Sequence, residues 1–124
     1  MNYVKDGEAC VYDGLFASTK IPTKTKGISL NGAQGTLERG SVISLDTNKK
    51  GNLCDKAKAG DTVYGILTDT ITTGVEATDY VITEVYLTGD FNAARLVFAE
   101  GTSLSDFETQ LRELGIFTDA VMEG

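Results

Sequence analysis

The sequence predicts a mainly β chain with one short C-terminal α-helix, a β-rich α+β domain. Three observations predict it. The run from Tyr80 to Asn92 (YVITEVYLTGDFN) has the densest β signal, with Val81, Ile82, Val85, Tyr86 and Leu87 spread over both alternating faces. A strand apolar on both faces belongs in the centre of a sheet or between layers. A second run, Val63 to Thr68, has the same character and is its expected neighbour. Leu104, Phe107, Leu111 and Leu114 then recur at spacings of three and four, which is the apolar stripe of a helix.

In chain order, residues 1–14 mix small, polar and charged side chains and read as weakly structured. Thr19 to Leu30 (TKIPTKTKGISL) alternates in the manner of an extended strand, and Pro22, which cannot donate a backbone hydrogen bond, predicts an edge or partner-bound position. Asn31 to Gly35 is a strong turn, residues 36–40 form a second bend, and Ser41 to Leu45 is a short strand. Residues 46–60 read as a polar loop with Gly51-Asn52 as its hairpin turn. Asp69 to Asp79 reads as a wide connection. Thr88-Gly89-Asp90 reads as a turn that interrupts the central run before Phe91.

Asn92 to Ala99 favours a helical turn in its first half and a strand in its second. The helix is expected at about residues 104–114. Ser105 and Glu108 have capping-box spacing, and Gly115 is placed for the left-handed C′ position with Ile116 closing back on Leu111. The residues from Thr118 onward read as a solvated tail.

Composition narrows the function classes. At 124 residues the chain fits one domain, and no apolar run is long enough for a membrane-spanning helix. The first residues lack the basic and apolar regions of a secretory signal. Net charge is −7, unevenly spread. Between Gly14 and Leu37 the only charges are Lys20, Lys24 and Lys26; after Lys58 there is no lysine, and twelve Asp/Glu face Arg95 and Arg112. An acidic body argues against a nucleic-acid groove, which needs clustered cations.

With no histidine, His-dependent catalytic triads and His-containing metal sites are excluded. Cys10 and Cys54 form no CxxC pair and read as thiols in a reducing compartment. No GxGxxG or P-loop occurs. Asp46-Thr47-Asn48 starts like a calcium loop, but Lys49-Lys50 and the missing glutamate break the pattern. Tyr64, Tyr80 and Tyr86 could stack bases; with Glu84 beside them and no cations near, core packing is the expectation. No catalytic residue, metal or cofactor is therefore expected.

Four stretches in fixed order carry a resemblance. They are residues 35–43 (GTLERGSVI), Tyr64-Gly65-Ile66-Leu67, residues 85–92 (VYLTGDFN), and residues 111–117 (LRELGIF). Together they resemble the phage head decoration protein family, the lambda-type capsid cement proteins, from about Lys20 to Phe117. The resemblance implies a small compact β-barrel or tulip-like domain with a short helix and an extended N-terminal arm.

It implies division into an arm at 1–27 and a β-rich decoration domain at 28–124. It further implies a homotrimer, the major capsid protein of a tailed phage as partner, and a place on the virion surface after assembly in the host cytoplasm, with no nucleic acid or membrane bound. The arm is mobile in the free protein of that family and orders beside a coat strand. Lys20, Ile21, Pro22, Thr23, Lys24, Thr25 and Lys26 are the expected capsid contacts, and removal of residues 1–27 is expected to leave the domain folded. A small β-barrel module that binds a ligand or peptide is the alternative from another class. An enzyme using paired carboxylates is a third, and no motif carries it.

Overall fold

The computed structural model describes residues 15–18, 23–58 and 60–119. The strands are β1 (Phe16–Ser18), β2 (Lys24–Leu30), β3 (Thr36–Leu37), β4 (Val42–Leu45), β5 (Gly51–Leu53), β6 (Thr62–Leu67), β7 (Ile71–Thr72), β8 (Val81–Asn92) and β9 (Ile116–Asp119), with helix α1 (Leu104–Leu114) before β9. Five of them close a barrel in the order β8–β2–β5–β4–β6. It shuts where Ile66 pairs with Tyr86 and Leu67 with Val85. The mainly β domain with one C-terminal helix is thus as the sequence predicts, and Val63 to Thr68 is the neighbour of the central run.

Strand β8 is the spine. Along one edge it pairs antiparallel with β2, from Lys24↔Thr88 to Leu30↔Val81, and then with β1 at Phe16↔Phe91. Along the other edge it takes β6 and then β9, the latter parallel from Gly89↔Ile116 to Asn92↔Asp119. The predicted turn at Thr88-Gly89-Asp90 is not there: β8 runs unbroken for 12 residues. Gly89 has φ 152°, and a Cβ on it would stand 2.9 Å from the Phe91 ring. Its glycine answers to a close ring and a positive φ inside a strand, not to a reversal.

Two clusters fill the interior. Leu15, Val42, Cys54, Val63, Ile66, Phe91, Leu111 and Ile116 form one; Leu30, Leu37, Ile43, Leu67 and Val85 form the other. Phe16 lies 5.0 Å from the Phe91 ring centre and 5.1 Å from that of Tyr86, an arrangement aromatic rings favour.

These contacts correct the arm boundary at residue 27. Leu15 is 2% exposed, Phe16 packs on the core, and Lys24 to Gly27 pair with β8 in the same strand as Ile28 to Leu30. Residues 15–18 and 24–27 are part of the barrel; residues 1–14 and 19–22 lie outside the described ones.

Three smaller expectations also change. Gly51-Asn52 is not a turn but part of β5, paired with Leu45 and Ser44. A Cβ on Gly51 would meet Leu30, Ile28 and Ile43 side chains at 2.7–3.0 Å, so close strand packing explains the glycine. The reversal lies earlier, at Asp46–Lys50, where the Asp46 carboxylate accepts the N–H groups of Asn48 and Lys50 at 2.8 and 3.0 Å and Lys49 takes φ 62°. Thr118 and Asp119 are not tail but the end of β9, held by β8. The connection 69–79 contains β7, which pairs with β3. Asn92 to Ala99 does divide as expected, into a 3-10 turn at Ala93–Arg95 and a bridge between Val97 and Ser41.

Helix α1 has the expected length, and Gly115 closes it at φ 93° with its N–H on the Arg112 and Leu111 carbonyls. Its cap is Ser103, not Ser105: the Asp106 carboxylate accepts the Ser103 N–H at 2.9 Å. Of the apolar stripe, Leu111 is fully buried, Leu104 and Phe107 are half-buried and Leu114 is 42% exposed. At about 100° per residue Leu114 stands roughly 60° round from Leu111, on the margin of the stripe.

Leu111→Ala is expected to cost about 2–5 kcal/mol, because its pocket between β6, β9 and α1 cannot collapse freely; chemical denaturation measures it. Removing residues 1–27 takes Leu15, Phe16 and half of β2 from the barrel, and the truncated chain is expected to lose its cooperative melt. A truncated protein with the wild-type melting temperature would show that β1 and the first half of β2 are dispensable.

Candidate interaction surface

The predicted contact segment falls in two parts. Lys20, Ile21 and Pro22 lie outside the described residues. Thr23, Lys24, Thr25 and Lys26 are described and all exposed, Thr23 just ahead of β2 and the other three in its first half. Exposure continues through Gly27 before Ile28 and Ser29 become half-buried and Leu30 fully buried. A strand normally buries alternate residues. Four consecutive exposed positions mean that among the described residues this half of β2 has no layer over either face and is held through its backbone to β8.

Among the described residues the opposite edge of β2 is almost bare. It touches β5 only at Leu30↔Gly51, with the Asn31 N–H donating to the Gly51 carbonyl at 3.0 Å. Among the described residues no strand pairs with Lys24 to Ser29 on that side. Beside this edge lies an open groove of about 490 Å³, lined by Lys26, Gly27, Ile28, Ser29, Leu45, Lys49, Tyr64 and Ile82. Ile82, whose backbone pairs with Ser29, is 79% exposed. The apolar lining comes from four strands, β2, β4, β6 and β8, and the two lysines stand on β2 and on the β4–β5 turn.

That turn is fixed by a polar network. Asn31 Nδ2 donates to Asp46 Oδ2 and to Asn52 Oδ1, each at 2.9 Å. Gln34 Nε2 donates to the Asn31 and Gly51 carbonyls at 2.7 and 3.1 Å, and its Oε1 accepts the Leu53 N–H at 2.9 Å. The Lys50 N–H first and the Asn31 amide second hold the Asp46 carboxyl below its ordinary range. A carboxylate so bonded serves as an anchor for the turn, not as a proton donor near neutrality. The same register brings Tyr80 and Lys50 to the two sides of Leu30, and the Lys50 ammonium sits 4.6 Å from the Tyr80 ring centre.

The three tyrosines share no platform. Tyr86 packs inside against Phe16 and Phe91, Tyr64 is half-buried at the groove, and Tyr80 is 49% exposed, so the expectation of core packing fails for Tyr80. Sequence reading also missed Ile82 as a surface element, and it placed the Lys49-Lys50 pair in a polar loop without assigning it to an interaction surface. The alternation of Ile82 with Glu84, both exposed, was the available signal that this face of β8 looks outward.

Among the described residues no three His, Cys, Asp or Glu side chains come together as a metal-binding group, and no helix is long and apolar enough to cross a membrane. Cys54 is buried in the core; burial, followed by Asp55, Asp61 and Asp106, pushes its thiol up to about 12. At neutral pH it is a packed thiol rather than a nucleophile. No family model matches the chain, and no curated protein matches it.

Because folding keeps the Cys54 thiol protonated, alkali favours the unfolded chain once pH passes the ordinary thiol pKa near 9.0, and stability falls until about 12. Denaturant melts between these limits are expected to show a shallower decline for Cys54→Ala than for the wild type. Equal slopes would mean that Cys54 is not shielded.

Proposed function

We propose that the chain is a capsid decoration protein of a tailed phage, bound as trimers to the outside of the expanded head, where it braces the shell against the pressure of packaged DNA. Its partners in this reading are the major capsid protein and two further copies of itself. The observation that carries it is the placement of the four stretches resembling the decoration family. They supply Val42, Ile43, Ile66, Leu67, Val85, Phe91, Leu111 and Ile116, which are core residues of the barrel. The likeness therefore follows the residues that determine a fold, in one order along the chain. The exposed Lys24–Lys26 segment fits a role in contact with another protein.

The groove beside β2 favours a second reading, a barrel module that takes an extended peptide. Co-sedimentation of the protein with expanded and unexpanded heads of its phage separates the two. Decoration predicts saturable binding to expanded heads only, and a gel-filtration mass three times 13.2 kDa. A monomer that ignores both kinds of head would overturn it.

A further inference from the structure

We infer that the outer edge of β2 is a strand-addition site for an extended, acidic segment of another polypeptide. The inference rests on the edge and its groove alone and does not depend on the capsid reading.

Every second residue of an edge strand directs its N–H and C=O away from the sheet. In step with Asn31, whose N–H reaches Gly51, the outward residues of β2 are Thr25, Gly27 and Ser29, and between Lys24 and Ser29 this edge finds no strand among the described residues. An exposed edge of this kind is a template for backbone pairing, and lysines are a common means of blunting it. Lys24 and Lys26 do disfavour pairing of two β2 strands, since antiparallel pairing would set lysines of both copies against one another.

Blunting alone, however, needs only charge. Here the edge also borders an open groove of about 490 Å³ whose lining includes Ile28, Leu45, Tyr64 and Ile82. An added strand would place alternate side chains in such a groove while its backbone satisfies the edge, which is how strand addition combines affinity with selectivity.

The charge of the segment follows from the rim. Lys26 and Lys49 both line the groove, in a chain whose net charge is −7. Acidic side chains at the rim would meet opposite charge at short range, whereas basic ones would be repelled. Glu84, exposed on β8 opposite Gly27 and on the same face as Ile82, is the acidic residue nearest this face and is not among those that line the groove. A polyanion without amides would satisfy the lysines but leave the backbone carbonyls of β2 unmet, so the occupant is a polypeptide. The Asn31–Asp46–Asn52 network holds the Lys49 turn in place without the partner, which reduces the ordering cost of binding.

The test uses the full chain and three acetylated, amidated probes: four alternating Glu-Val pairs, four alternating Lys-Val pairs, and an all-glutamate peptide of equal length. Titration by fluorescence anisotropy is expected to show the Glu-Val peptide binding at least about tenfold more tightly than either other probe. Amide exchange is expected to slow at Thr25, Gly27 and Ser29, whose N–H groups face the open edge, when that peptide is bound. The double substitution Lys26→Glu with Lys49→Glu, at two residues whose side chains reach solvent, should leave the melt unchanged and weaken the Glu-Val peptide by about tenfold or more.

Ile82→Thr should weaken it too, and provides a second reading if the charge reversal alters the fold. Four results would each overturn the inference. One is no binding of the Glu-Val peptide up to about 1 mM. Another is equal or tighter binding of the Lys-Val or all-glutamate probe. The third is protection of amides elsewhere than on β2. The last is slow exchange at Thr25, Gly27 and Ser29 that grows with protein concentration in the absence of peptide, which would assign the edge to a second copy.

Discussion

One strand serving four others is the constraint on which the fold depends. β8 holds β2 and β1 along one edge and β6 and β9 along the other, and the barrel closes only because β2, β5, β4 and β6 lead back to it. Its first half is wall and its second half is core: Ile82 and Glu84 face out, whereas Val85, Phe91 and Asn92 are buried. The exchange of partners falls at Gly89, where β9 joins and the Phe91 ring comes too close for a side chain. Backbone pairing on both edges leaves β8 no freedom to slip, because a one-residue shift would turn Val85 and Phe91 outward.

The consequences run outward from this strand. β1 and β2 lie end to end on one edge of β8, so Leu15 and Phe16 complete the core near the point where α1 and β9 arrive. β2 then departs from the barrel wall. Only its last residue reaches β5, so its first half has hydrogen bonds to β8 on one side and, among the described residues, no strand on the other. The groove is thus a by-product of how the barrel closes. A wall with one strand paired on a single edge leaves a groove beside that strand, and the Asp46–Lys50 turn sets a lysine at its rim.

Chemistry plays little part in this arrangement. Cys54 is sealed in apolar packing, and Asp46 spends its lone pairs on Asn48, Lys50 and Asn31. Such groups stabilise turns and cores. At the groove beside β2 the features that face solvent include open backbone, lysine and apolar side chains, the materials from which protein–protein contacts are commonly built.

The sequence by itself determined the elements whose signals are local. Periodicity placed α1 at 104–114, the left-handed preference of glycine placed its end at Gly115, and β-branched density marked β6 and β8. It also marked Lys24 to Lys26 as a charged strand segment fit to face solvent. Only the tertiary structure decided what depends on distant partners. Gly51 and Gly89 read as turns because a glycine's local preference is the same whether it turns the chain or admits a neighbouring side chain; Leu30 and Phe91 decide between these. Leu15 and Phe16 read as arm because two apolar residues among polar ones show no period, and it takes Phe91 and Tyr86 to bury them. The groove could not be read at all, since it joins β2, β4, β6 and β8, and no local rule records which of these strands fail to pair.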